Sequence, residues 1–219
     1  MPKIAWAGGL LAGLLLLPQA QARVAWDESV NGDLSGVGTL PSVLSLSLGS
    51  NQIFGATGDL GAGVDIDYFT LTIPTGWQLS SLELLPNTGP ESAAFLGIQA
   101  GSQLTAKTAG ELLGWMHYAA FDTGQNLLPR IASGFGAIGF EVPLKAGAYS
   151  FWIQDYDPGL SPYGIDLNIT AVPEPATALS LLFGLAGIAG LRRAAARAAA
   201  RGLRSSRRPG CRVNAGAAD

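Results

Sequence analysis

The middle of this chain predicts an all-β fold, an antiparallel β-sandwich, on three observations. Several short runs alternate apolar and polar residues, as a strand with one buried and one wetted face requires. Clusters of Gly, Pro, Asn and Asp separate those runs and favour turns. Helical periodicity is scarce between them, so sheet must pack on sheet.

Residues 1–22 read as a secretory signal peptide. Lys3 supplies the positive start, residues 4–17 the apolar stretch, and Ala20-Gln21-Ala22 a small-x-small cleavage site. The alternative is an uncleaved anchor helix; the short run and the A-x-A placed after Pro18 favour cleavage, leaving a mature chain from Arg23. The partners implied are the Sec translocon and signal peptidase.

Residues 23–171 form the exported domain. Leu44, Leu46 and Leu48 alternate with Val43, Ser45 and Ser47, predicting a strand over 43–48 with the leucines inward, and Gly49-Ser50-Asn51 predicts a turn after it. Phe69, Leu71 and Ile73 alternate with Tyr68, Thr70 and Thr72 up to the turn Pro74-Thr75-Gly76. Leu82 and Leu84 flank Glu83, ahead of a turn over 86–90. Residues 106–120 fit either a helix or a long excursion. Ile138, Phe140 and Val142 alternate with Gly139 and Glu141, predicting a strand that ends before Lys145-Ala146-Gly147. Tyr149, Phe151 and Ile153 share one face, Asp157-Pro158-Gly159 turns the chain, and Ile165, Leu167 and Ile169 alternate with Asp166 and Asn168.

Charge separates the domain from the C-terminal segment. Residues 23–171 hold four basic residues (Arg23, Lys107, Arg130, Lys145) against fourteen acids, a net of ten negative charges. Such a surface does not track a phosphate backbone, which excludes nucleic acid as a partner. Cys211 is the single cysteine and lies outside the domain, whose stability therefore comes from packing. A domain of about 150 residues buries about 68–70% of its unfolded surface, enough for one core.

Residues 172–175, Val172-Pro173-Glu174-Pro175, form a linker that proline holds out of helix. Residues 176–191 are an uncharged apolar run of sixteen residues. As a helix it spans roughly 24 Å at about 1.5 Å per residue, against a hydrocarbon core of about 30 Å. Snorkelling arginines and local thinning close that gap. Arg192 and Arg193 form the membrane stop and hold that end in the cytoplasm by the positive-inside rule. Residues 192–219 are a basic tail with Arg193, Arg197, Arg201, Arg204 and Arg208 at helical spacing, either a helix lying on anionic lipid or an extension with no selected role.

An acidic proline motif, a membrane-length apolar run and a basic stop, in that order, resemble the PEP-CTERM sorting signal of Gram-negative bacteria that make exopolysaccharide. The resemblance implies recognition at Val172, Pro173, Glu174 and Pro175 by exosortase, a membrane-embedded, cysteine transpeptidase-like enzyme that removes the tail. It also implies an inner-membrane precursor and a product at the cell surface or in the extracellular matrix. Within the domain, Asp65-Ile66-Asp67-Tyr68-Phe69-Thr70-Leu71-Thr72-Ile73-Pro74 with Gly76, and Leu144-Lys145-Ala146-Gly147-Ala148-Tyr149-Ser150-Phe151-Trp152-Ile153, look like strand signatures of bacterial pre-peptidase C-terminal-like domains. That likeness covers residues 32–170 and implies a small, non-catalytic, jelly-roll-like sandwich.

Motifs for chemistry are sparse. Gly134-Phe135-Gly136-Ala137-Ile138-Gly139 fits G-x-G-x-x-G, but a dinucleotide site needs a helix after it, and Phe140-Glu141-Val142-Pro143 reads as strand. His117 is the single histidine, there is no G-x-S-x-G, and the domain has no cysteine for a nucleophile or a zinc site. Asp65 and Asp67 lie two apart, as do Asp155 and Asp157, so a strand places each pair on one face, an arrangement that suits calcium. The competing reading is that these acids cap turns. Among the aromatics, Trp26, Trp77, Trp152, Tyr156 and Tyr163 are candidates for stacking on sugars, with Trp152 outward because Phe151 and Ile153 face the core. The expected function is a non-enzymatic, exported surface or matrix protein, with an extracellular polysaccharide as candidate partner and no cofactor other than calcium. Its rivals are a carbohydrate-binding module using Trp152 and Tyr156, and a secreted hydrolase.

Overall fold

The computed structural model describes residues 22–61, 63–89 and 93–172. Of the signal residues it therefore includes Ala22 and Val172. Ala20, Pro173, Glu174, Pro175, the apolar run over 176–191, Arg192, Arg193 and the basic tail lie outside the described residues. Among the described residues no helix is long and apolar enough to cross a membrane.

The protein is mostly β. Its strands are β1 (Arg23–Asp27), β2 (Ser42–Leu44), β3 (Gly49–Asp59), β4 (Val64–Ile73), β5 (Trp77–Leu84), β6 (Ala94–Ala100), β7 (Gly114–Tyr118), β8 (Gly147–Gln154) and β9 (Gly159–Ala171), with short helices α1 (Glu28–Asn31) and α2 (Leu128–Ala132). They run β5-β9-β3-β4-β8-β6-β7 with antiparallel neighbours, while β1 joins β3 and β2 joins β4 in parallel. β3 and β4 meet only at one end, where Gly58 faces Asp65 and Asp59 faces Val64. Beyond that corner β3 follows β9 and β4 follows β8, so the sheet curls into two halves.

The alternation read from the sequence explains what lies between the halves. Phe69, Leu71 and Ile73 on β4, Phe151 and Ile153 on β8, and Leu96 and Ile98 on β6 point inward, to meet Ile53, Leu79, Leu82, Leu84, Ile165, Leu167 and Ile169 from the other half in one core. Phe69 and Phe151 are cross-strand partners, stacked at 4.7 Å with planes 6° apart. At the end of β9, Ala171 faces Trp77, and the Val172 N–H donates to Gly76 O at 2.8 Å.

Three local expectations are corrected and one left open is resolved. The strand predicted over 43–48 stops at Leu44; Leu46 is half-buried and Leu48 exposed, because the chain leaves β4 there to start β3. Gly49-Ser50-Asn51 is not a turn but the start of β3, and Asn51 is buried because its side chain serves Ser47 N, Ser47 O, Gly49 O and Leu167 O. Ile138, Phe140 and Val142 form no strand: Gly136 and Gly139 take positive φ and Pro143 lacks an N–H, so the segment is a loop with Ile138 and Val142 exposed. The segment 106–120 is an excursion, with a single 3₁₀ turn at Ala109–Glu111 followed by β7.

Candidate functional site

An aromatic groove lies on the outer face of the β2-β4-β8-β6-β7 half, and strand register builds it. Phe151 and Ile153 point to the core, so Trp152 between them points out. Across the sheet, Tyr68 pairs with Trp152, Trp152 with Gly97 and Gly97 with Trp115, which makes one outward row. The next row is Ile66, Gln154, Phe95 and His117. Gly97 has no side chain to fill the space between two tryptophans, and the Phe95 ring lies over it: a Cβ there would stand 3.0 Å from Phe95 Cε1 and 3.2 Å from Leu112 Cδ1.

The rings lock one another. Phe95 meets Trp152 edge-on at 4.8 Å and stacks on Trp115 at 5.9 Å, while His117 meets Phe95 and Trp115 edge-on at 5.8 and 5.6 Å. Such geometries suit the ring quadrupole and fix orientation. The Trp152 indole N–H donates to Gln154 Oε1 at 3.0 Å, and that of Trp115 to Phe135 O at 3.1 Å.

The excursion after β6 supplies a wall. Leu104, Ala106 and Leu112 are buried in a second apolar cluster, on which Tyr68, Phe95, Trp115 and Trp152 pack. Gln99 ties the excursion down, its Oε1 accepting from Thr105 N and Ala106 N, each at 2.9 Å. Two neighbouring hollows result. One of about 280 Å³ lies between Lys107, Thr108, Leu112, Trp115, His117 and Trp152. The other, of about 240 Å³, lies between Ala93, Phe95, His117, Trp152, Gln154 and Tyr156.

Of the aromatics singled out in the sequence, Trp152 and Tyr156 therefore share a hollow, and Tyr156 is 69% exposed beside it. Trp26 and Trp77 pack against the main core instead. Tyr163 is interior, because it shares parity on β9 with Ile165 and Leu167. Phe95, Trp115 and the exposed His117 belong to the groove and were missed; period two over Trp115-Met116-His117-Tyr118 was the signal for the two on β7, with Met116 and Tyr118 buried on the opposite face.

The four candidate metal-binding carboxylates do not come together as one set. Asp157 donates its N–H to Asp155 Oδ1 at 3.0 Å, which is turn duty, and Asp155 Oδ2 is buried without a hydrogen-bond partner. Asp65 sits at the corner where β4 meets Gly58, and burial raises its pKa. Asp67 points inward and is fully buried. It is joined there by Glu28 of α1 and Asp33, one carboxylate oxygen from each lying within 4.8 Å of the others. The Tyr163 hydroxyl donates to Asp67 Oδ2 at 2.7 Å, while Oδ1 has no hydrogen-bond partner. Burial, reinforced by Glu28 and Asp65 and opposed by the Tyr163 bond, pushes the Asp67 carboxyl up to about 8. Burial also raises Glu28, although its oxygens accept from Leu34 N at 3.0 Å and Ala56 N at 2.9 Å.

The motifs weighed for other chemistry have other places. Residues 134–139 lie in the loop after α2, with no helix after them for a phosphate to meet. No protein-family model, curated protein or solved structure matches the chain.

Proposed function

We propose that the domain is a non-catalytic β-sandwich, jelly-roll-like, that binds saccharide chains in the aromatic groove, and that the sorting signal carries it to the cell surface or extracellular matrix. The observation that carries the binding reading is the pair of hollows sharing Phe95, His117 and Trp152. A pyranose presents an apolar face of C–H groups and a rim of hydroxyls; rings receive the first and polar edges the second. Lys107, Thr108, His117, Gln154 and Tyr156 supply those edges. With ten net negative charges on residues 23–171, the domain disfavours polyanionic chains, so the sugar class is neutral.

One observation favours binding over hydrolysis. Glycoside hydrolysis needs two carboxyl groups flanking the bond, and no Asp or Glu is among the described residues lining either hollow. Sorting rests on Val172, Pro173, Glu174 and Pro175 followed by the apolar run and Arg192-Arg193, with exosortase as the processing partner.

Two experiments test the two halves of the proposal. Neutral and acidic oligosaccharides titrated against the protein should include a neutral one that binds saturably, with Trp152→Ala weakening it at least tenfold; binding to none, or binding indifferent to Trp152, sinks the groove reading. Pro173→Ala combined with Glu174→Ala should leave an unprocessed precursor in the inner membrane, and normal processing of that variant would refute the sorting signal.

A further inference from the structure

We infer that Glu28, Asp33 and Asp67 form a binding site for a divalent cation of the calcium type, separate from the groove. One oxygen from each residue lies within 4.8 Å of the others, although the three come from α1, from the stretch just after it and from the inward face of β4. Carboxylates so close repel unless a proton or a cation lies among them. No basic side chain does this: among the described residues the two ion pairs are Arg130 with Asp122 and Lys145 with Glu141.

The fully buried Asp67 supplies the second and independent observation. Its Oδ1 carries no hydrogen bond, in a place where a polar atom ordinarily has one. Bonds hold both oxygens of Glu28 and Oδ2 of Asp67 and leave Oδ1 over. Tyr163 holds Oδ2, and the N–H groups of Leu34 and Ala56 hold one oxygen each of Glu28. Glycine at position 55 keeps the space: a Cβ there would stand 2.6 Å from the Tyr163 hydroxyl and 3.0 Å from Glu28 Cδ.

The donor chemistry selects the ion. All three ligands are carboxylate oxygens, which hard cations prefer to zinc or copper. Calcium takes six to eight oxygens at about 2.3–2.6 Å, so three carboxylate oxygens within 4.8 Å of one another fit around one ion. Calcium also accepts irregular sets completed by water and carbonyl oxygens, and the exposed Asp33 leaves a side open to solvent. A bound ion would tie residues 28–33 to β4.

The test uses the full chain in detergent, stripped with EDTA and then titrated with calcium alone, and with magnesium in parallel. One saturable calcium site is expected, together with a rise of several degrees in melting temperature at saturation. Asp33→Asn changes an exposed residue and should leave the fold intact while weakening calcium at least tenfold; Asp67→Asn should abolish binding. Trp152→Ala should leave the calcium response unchanged, which separates this site's failure from that of the groove. No calcium response in the wild type, a response that survives Asp33→Asn, or a response to magnesium alone would overturn the assignment. So would an Asp67→Asn protein that is stabilised while the wild type ignores calcium, since a shared proton would then explain the cluster.

Discussion

The two halves of the curled sheet present opposite outer faces to solvent. Beside half-buried Phe54, which lies against Gly164, the β5-β9-β3 half carries the outward rows Glu83, Asp166 and Gln52, then Ser81, Asn168 and Ser50. These are small or polar groups that satisfy one another, as when Ser50 donates to Asp166 at 2.8 Å. On the other half the corresponding rows hold Tyr68, Trp152 and Trp115, then Gln154, Phe95 and His117. Both halves have the same strand geometry and feed the same core, so the fold alone does not account for the rings. A sheet face needs only polar residues to stay wet, and the partly exposed aromatics gathered around two hollows are what the proposed ligand reading rests on.

The largest effect expected is on the inward side of the aromatic half. Phe151→Ala removes one ring of the stacked pair with Phe69 and should cost about 3–5 kcal/mol, read from urea unfolding. Its neighbour Trp152→Ala should cost far less stability, and equal costs would erase the distinction between the two sides of β8. Next comes a pH effect from Asp67, also inward. Its folded pKa of about 8 lies above the ordinary aspartate value of 3.8, so the folded state holds a proton that the unfolded state has released. The contribution of Asp67 to stability in the presence of chelator is therefore greatest below about pH 4 and falls as pH rises towards 8. Thermal melts across that range check it, and stability rising through it would contradict the burial of this carboxyl.

On the outward side, Trp152→Ala should weaken a bound neutral saccharide at least tenfold, about 1.4 kcal/mol, by calorimetric titration. Gly97→Ala should weaken it by about threefold, because the new methyl forces Phe95 to shift by a few tenths of an ångström. Gln52→Ala, on the polar outer face of the other half, should change binding not at all and stability by under about 0.5 kcal/mol. A loss of saccharide binding there would mean that the two outer faces do not differ in function.

What the sequence disclosed came from side-chain parity. Phe69-x-Leu71-x-Ile73 and Ile165-x-Leu167-x-Ile169 announced their strands because the buried positions are apolar and their neighbours are not. β3 was hidden because its inward Asn51 is polar and is satisfied by partners that only the fold supplies. β7 was hidden because both of its faces are apolar or aromatic, and one of them serves the groove. At the site, Trp152 was legible from its flanking core residues, whereas Phe95 and Trp115 join it only through register. Asp67 was legible as a carboxylate on a strand. Glu28 and Asp33 were not, because they are more than thirty residues upstream and nothing in local spacing links them to it.

The way β9 ends has a mechanical consequence. The chain leaves the domain at Val172 beside Gly76, three residues past Ile73, which faces Gly147 at the start of β8. Trp152 is five residues along β8 from there, roughly 17 Å at about 3.3 Å per residue. Were a polymer held in the proposed groove, a pull between Trp152 and the chain leaving at Val172 would have this length of β8 between its two ends. Because Val172 continues β9, a pull on it along that strand loads the ten β3–β9 partner positions together as shear, where a pull across the strands would unzip them one at a time.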